Sequence, residues 1–327
     1  MAEVIVTVTD GVGDEDGAGR GDEGGGKEQA QGRGRYGGEH GAGRGRGPGP
    51  AGAGRGDGVR ASPVRLVCTD HGGDGPPLLL LHGLAGHRGE WEELAARLAA
   101  SCRVVAFDAR GSGASTRRPR DVSRAAHVRD VLAVARRLSL AGRDTVLVGQ
   151  SMGGLTALLA AAAHPEVCRA LVLIEAGPAG PSPRLPEQIG SWLDSWPVPF
   201  PDAEAATAFF GGGPAGRAWA RGLVPGPGGL HPRVDRDVMV ATVQENAHRD
   251  FWDAWDRVRC PVLVIRGENG TMRQEEADRM RARHPGTRTS VIAGAGHDAH
   301  LDEPAAVHAE TARFLASLGE TRSLPSP

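Results

Sequence analysis

From Val64 onward, short unbroken apolar runs alternate with longer stretches in which apolar residues recur every three or four positions. The short runs are Val64–Thr69, Pro77–Leu81, Val104–Phe107, Asp144–Val148, Ala170–Ile174, Pro261–Arg266 and Thr289–Ala293, rich in Val, Ile and Leu, and each predicts a strand. The longer stretches predict helices. Glu90–Ala100 sets Trp91, Leu94 and Leu98 on one face, and Ser123–Leu140 does the same with Val128, Val131, Leu132, Ala135 and Leu138. Gly154–Ala163, Gln274–Arg283 and Glu303–Leu318 complete the series. Apolar strands alternating with helices imply the α/β class, a mostly parallel β-sheet with helices on both faces.

Two intervals break the rhythm. Residues 177–259 are rich in Pro and Gly and hold five of the six tryptophans, Trp192, Trp196, Trp219, Trp252 and Trp255, with Phe200, Phe209, Phe210 and Phe251. The interval is too long for a simple connection and predicts a small helical cap, most of whose aromatics pack it onto the core. At the other end, Gly11–Gly58 is dominated by glycine, with Arg, Asp, Glu and Pro between. Such a segment cannot bury enough apolar surface to offset its backbone entropy, so residues 1–60 are expected to be a disordered tail, as are residues 321–327. The folded domain is then residues 61–320.

Charge and composition narrow the partners. Arg33-Gly34-Arg35 and Arg44-Gly45-Arg46-Gly47 have the look of an RNA-binding tail, but Asp14, Glu15, Asp16, Asp22 and Glu23 offset their charge and Tyr36 is the only aromatic there. With a formal net charge of −2, nucleic acid is not an expected partner. Residues 1–10 lack the basic start and apolar core of a secretory signal, and no run of eighteen apolar residues predicts a membrane span. A cytoplasmic location follows as the expectation. Cys68, Cys102, Cys168 and Cys260 are scattered without C-x-x-C spacing, which favours buried free thiols over disulfides or zinc.

Candidate chemistry centres on Gly149-Gln150-Ser151-Met152-Gly153, between a predicted strand and a predicted helix. A serine at such a reversal is lifted out at the top of the sheet, and small residues two positions to either side keep neighbouring backbone from colliding. The helix start aims free N–H groups at the space above it. A second motif, His82-Gly83-Leu84-Ala85-Gly86, follows the strand ending at Leu81. A third is Asp108-Ala109-Arg110-Gly111-Ser112-Gly113-Ala114-Ser115, and a fourth Gly294-Ala295-Gly296-His297.

These four motifs, in this order, resemble the α/β-hydrolase superfamily in its small-molecule serine esterase and haloperoxidase-like branch, over about residues 64–318. The resemblance implies a nucleophile at Ser151, a general base at His297, and an oxyanion hole from the N–H groups of Leu84 and Met152. It implies structural roles for His82 and the Asp108–Ser115 loop, and it calls for no cofactor. His300 is expected at the surface or behind the site. A metal site from His297, Asp298 and His300 is the minor alternative.

The chain departs from the family pattern at the third catalytic group. The acid that orients the histidine usually follows the strand before the histidine strand, and there Gly270 stands in its place. Glu268 is two residues early. Glu175, at the end of the strand Ala170–Ile174, occupies a position from which some relatives draw the acid, and is preferred. The expected function is hydrolysis of an ester or similar acyl bond of a small molecule through Ser151, His297 and Glu175. The alternatives are a cofactor-free haloperoxidase or perhydrolase, and a ligand-binding protein that keeps the fold without turnover.

Overall fold

The computed structural model describes residues 1–9, 62–140, 144–178 and 180–320. Strands β1 (Ala2–Thr9), β2 (Pro63–Gly72) and β3 (Pro77–Leu81) precede helix α1 (Glu92–Leu98) and strand β4 (Arg103–Phe107). Helix α2 (Arg124–Arg137), strand β5 (Val146–Gln150), helix α3 (Ser151–Ala163) and strand β6 (Ala170–Ile174) follow. The interval from 177 to 259 carries helices α4 (Leu185–Asp194), α5 (Ala203–Phe209) and α6 (Gly213–Arg221), a hairpin of β7 (Val224–Gly226) and β8 (Gly229–His231), and helices α7 (Arg236–Thr242), α8 (Gln244–His248) and α9 (Trp252–Trp255). The chain returns to the sheet with β9 (Val262–Gly267), α10 (Gln274–Arg283) and β10 (Thr287–Ile292), and ends on the short α11 (Ala299–Asp302) and the long α12 (Pro304–Glu320).

The main sheet has eight strands in the order β1-β2-β4-β3-β5-β6-β9-β10. The pairs from β4 through β10 are parallel, and β2 is antiparallel to both β4 and β1. Its central strands read as continuous apolar runs because both faces are covered. Leu79, Leu81, Leu147, Leu171 and Val264 pack on one face against residues of α2, α3 and α9. Leu78, Leu80, Val146, Val148 and Ile265 pack on the other against Trp91, α1 and α12. This period-two division of each strand between two buried layers is what a doubly covered parallel sheet requires.

Two expectations need correction. Residues 2–9, assigned by composition to a disordered tail, form β1 and pair with β2 from Ala2↔Asp70 to Thr9↔Pro63. The physical reason lies in an alternation that composition hides: Val4, Val6 and Val8 face the core, while Glu3, Ile5, Thr7 and Thr9 face out. The glycine-rich remainder, from Gly11 to Gly58, and residues 321–327 lie outside the described residues. The second correction concerns the 177–259 interval, whose last turn belongs to the main core: Phe251, Trp252 and Trp255 pack with the strands rather than with the other aromatics. The separate apolar centre of the interval is Trp196, Phe200, Met239 and Val234, with Trp192, Phe210 and Trp219 packed against it. The four cysteines are free; Cys68, Cys102 and Cys168 are buried and Cys260 is half-buried.

Candidate active site

Ser151 sits at the junction of β5 and α3 with φ +49, the left-handed region that a residue with a side chain enters only when its surroundings force it. Those surroundings are tight. A Cβ on Gly149 would stand 2.5 Å from the carbonyl oxygen of Gly153, and one on Gly153 would stand 2.2 Å from that of Leu81. The turn therefore closes only with glycine at both places. Met152 is the second residue of α3, so its N–H has no acceptor within the helix.

The loop after β3 brings Leu84 to the same cavity as Ser151 and Met152. His82 holds this loop from below. Its Nε2 accepts from the Ala109 N–H at 2.9 Å, which leaves Nδ1 to donate to the Gly83 carbonyl at 2.7 Å. Both nitrogens of a neutral ring are thereby used, and burial holds its pKa below the usual histidine value. Asp108 accepts from the N–H groups of Arg88 at 2.7 Å and Ala114 at 2.8 Å, and Ser115 Oγ donates to the Asp108 carbonyl at 2.6 Å. Arg110 forks onto Asp130 through two 2.6 Å bonds, with both side chains buried. The Asp108–Ser115 loop is thus a bracing element beneath the site.

His297 lies between β10 and α11. Its Nδ1 is 2.8 Å from Thr271 Oγ1 and 3.3 Å from Glu175 Oε2. Glu175 projects from the end of β6, again with a left-handed backbone (φ +50). Its carboxylate accepts from the N–H groups of Gly267 (2.8 Å), Thr271 (2.6 Å) and Met272 (2.9 Å), and Thr271 Oγ1 stands 3.3 Å away. Burial alone would push this carboxyl up. His297 and the converging backbone donors outweigh burial and hold it below the usual glutamate value, so it is ionised.

The occupied space explains the glycine at 270. A Cβ on Gly270 would stand 2.1 Å from Glu175 Oε1, 2.3 Å from Cδ and 2.5 Å from Oε2. The carboxylate of Glu175 fills the volume into which a side chain at 270 would project. Glu268, the competing candidate, is directed elsewhere: its Oε2 accepts from the Gly294 N–H at 2.8 Å on the exposed rim.

Two participants stand at positions that no motif specifies, Gln150 being a variable place within the serine pentapeptide. Thr271 stands between His297 and Glu175, placed to accept from one and donate to the other. Gln150 is buried, and its Nε2 donates to the His297 carbonyl at 3.1 Å and to Asp298 Oδ1 at 3.2 Å, tying the serine turn to the histidine loop. Asp298 Oδ2 also accepts from Trp219 Nε1 of α6 at 2.8 Å. Burial pushes the Asp298 carboxyl up, against the pull of the Trp219 bond. His300 is not at the surface. It is buried against the Trp91 ring with centroids 4.4 Å apart, and burial pushes its pKa down to about 3. His297 and His300 thus face different neighbours, and among the described residues no group of three or more His, Cys, Asp or Glu could hold a metal ion.

Ser151, Met152, Leu84, Glu175, Thr271 and His297 all line one cavity of about 940 Å³. Its far wall comes from the 177–259 interval, through Leu185, Ile189, Trp192, Phe209, Phe210, Trp219 and Val243. Several of these aromatics therefore do both jobs, packing on one another and facing the cavity. None of the described helices is long and apolar enough to cross a membrane.

Residues 78–310 match the model of the alpha/beta hydrolase family. The chain is 28% identical over 233 residues to 2-(acetamidomethylene)succinate hydrolase of Mesorhizobium japonicum, covering 69% of this chain and 82% of that protein. It is 27% identical over 256 residues to the sn-1-specific diacylglycerol lipase ABHD11 of Mus musculus, covering 74% and 81%. Among solved structures, E-2-(acetamidomethylene)succinate hydrolase superposes with a TM-score of 0.70 at 24% identity, covering 77% of this chain and 96% of that one. The enol-lactonase of Burkholderia xenovorans superposes with a TM-score of 0.65 at 20% identity, covering 77% and 97%.

Proposed function

The chain belongs to the α/β hydrolase family, and on that footing we propose that it is a serine hydrolase cleaving an ester or similar acyl bond of a small molecule. The reading rests on one observation above the others. An ionised carboxylate, Glu175, reaches His297 through the space that Gly270 leaves open, and both line one cavity with Ser151.

The chemistry follows from that arrangement. With Nδ1 engaged by Thr271 and Glu175, the His297 ring keeps Nε2 as the basic nitrogen toward the cavity. Ser151 Oγ attacks the acyl carbon as its proton passes to His297. The carbonyl oxygen becomes an oxyanion held by the N–H groups of Leu84 and Met152, each of which contributes ~3 kcal/mol to lowering the barrier. The leaving group takes the proton from His297, and water, deprotonated by the same ring, releases the acyl group from Ser151. Glu175 stabilises the imidazolium in both halves and stays ionised throughout. The reading takes a small-molecule acyl substrate as partner and the cytoplasm as location.

Fluorophosphonate labelling tests it, together with turnover of p-nitrophenyl esters of graded acyl length. Labelling should map to Ser151 and vanish in Ser151→Ala, with ester turnover falling by ~10³-fold or more. An unlabelled, inactive but folded protein would leave a ligand-binding protein on the same fold.

A further inference from the structure

The lining of the cavity carries information about charge that the reaction itself does not use. Among the described residues, no Arg or Lys side chain lines it. Apart from His297, its ionisable groups are all acids: Glu175 at the base, Asp298 beside the histidine, and Glu276 on α10. The remaining polar side chains are uncharged, chiefly Gln150, Gln188, Asn246 and Thr271. The Asn246 carboxamide is neutral, and its oxygen is buried without a hydrogen bond. The rest of the wall is apolar, led by Trp192, Phe209, Phe210 and Trp219.

One buried cation stands behind the lining, with both terminal guanidinium nitrogens engaged. Arg124 lies behind Met152, with Nη1 2.9 Å from the Met152 sulfur and Nη2 donating to the Thr242 carbonyl at 3.0 Å. It does not line the cavity.

Resting on the hydrolase reading above, we infer that the substrate is an uncharged acyl compound with an apolar body, and that the cavity discriminates against acyl groups bearing a second carboxylate. A carboxylate taken from water into this cavity meets acids, neutral amides and ring faces, and loses hydration that no lining Arg or Lys replaces. The ionisable ring closest to hand would be His297, and a carboxylate seated there would occupy the group that must act as the base. The negative faces of the aromatic rings add to the exclusion. A neutral alkyl or aryl acyl group loses no such hydration and gains the apolar wall. This separates the protein from the relative whose substrate, by its name, is a succinate.

The test compares two p-nitrophenyl esters matched in chain length, the neutral butyrate and the anionic hemisuccinate. Binding to Ser151→Ala is followed by tryptophan fluorescence, and kcat/KM is measured on the unaltered protein. The butyrate should be favoured in both, by on the order of tenfold or more, as expected when a charge is desolvated without a partner. Gln188→Arg, which adds a cation to the exposed end of the wall, should shift the ratio severalfold toward the hemisuccinate. Equal or tighter binding of the hemisuccinate, no binding of the butyrate, or an unmoved ratio in folded Gln188→Arg would overturn the inference. Selective butyrate binding by a protein without turnover would uphold the charge selection while overturning the hydrolase reading. Turnover with the hemisuccinate preferred would do the reverse.

Discussion

Exchanging the acid between positions 175 and 270 probes the site at its least conventional point. In Gly270→Asp alone, the new Cβ would be placed 2.1–2.5 Å from the three terminal atoms of the Glu175 side chain. Three backbone N–H groups pin that carboxylate, so it cannot move aside without abandoning them. Overpacking of this kind costs ~1–3 kcal/mol, with the repulsion of two carboxylates added. In Glu175→Gly alone, the same three donors lose their acceptor, at ~1–3 kcal/mol for each that stays dry. Relief of the left-handed backbone at 175 returns ~1 kcal/mol. The net loss is a sizeable part of a total stability of ~5–15 kcal/mol, and turnover should fall by ~10⁴-fold as the histidine loses its partner. Combining the two changes removes the collision and returns a carboxylate to the same volume. The double variant should therefore be more stable than either single one, and should recover at least ~10-fold in kcat/KM over Glu175→Gly. Urea unfolding followed by tryptophan fluorescence measures the first quantity, and ester turnover the second. Additive losses in the double variant, or a Gly270→Asp protein as stable and active as the original, would refute the reasoning. The stability arm reads out even if the protein proves not to be a hydrolase.

Glu268→Gln should leave kcat/KM within about twofold, because among the described residues that carboxylate accepts from the exposed Gly294 N–H and not from His297. A drop of 100-fold would move the acid role to Glu268. Stability should also fall with acid. Burial pushes His300 down to about 3 and His87 down to about 4, so the unfolded chain binds protons that the folded one refuses. Their contribution is complete above ~6.5 and is lost as pH falls from there toward 4 and 3, at up to ~1.4 kcal/mol per pH unit for each ring. Glu175, depressed below its ordinary 4.5, adds a separate loss below that value. Thermal midpoints measured from pH 7.5 to 4.5 should fall, and His300→Phe, which keeps the contact with Trp91, should flatten the slope; an unchanged slope would show that His300 is not a proton-refusing group.

Much of the fold was legible because the central strands are buried on both faces and so read as unbroken apolar runs, while the helices kept their periodicity. The serine turn, the Leu84 loop and the His297 loop were legible because each depends on backbone geometry that few sequences satisfy. Glu175 could be nominated, but Glu175 and Glu268 differ in what surrounds them, and only the folded chain shows the three N–H groups that converge on one. The roles of Thr271 and Gln150 left no signal, since a hydroxyl and an amide acquire their partners from segments distant in sequence. β1 is a different kind of omission. Its alternating valines were visible, but a single eight-residue strand has no stability apart from its partner, and that partner begins only at Pro63. The cap stayed unreadable because its aromatics pack largely on one another, in an arrangement that no local pattern encodes.

The pairing of Thr9 with Pro63 also changes what the chain's beginning can be taken to be. Because β2 is antiparallel to both β1 and β4, β1 runs in the direction of the catalytic strands, and Thr9 and Pro63 stand side by side at the end of the sheet toward which those strands run. In topological terms the segment between them is an insertion into a hairpin. Excising it and joining Thr9 to Pro63 by a tight turn would make a distant pairing local, with a closure cost lower by ~2 kcal/mol. Cutting away everything before Pro63 is a different operation, since it strips β2 of its partner and makes β2 the edge of the sheet in place of β1, with its own ladder groups open to pair with another chain.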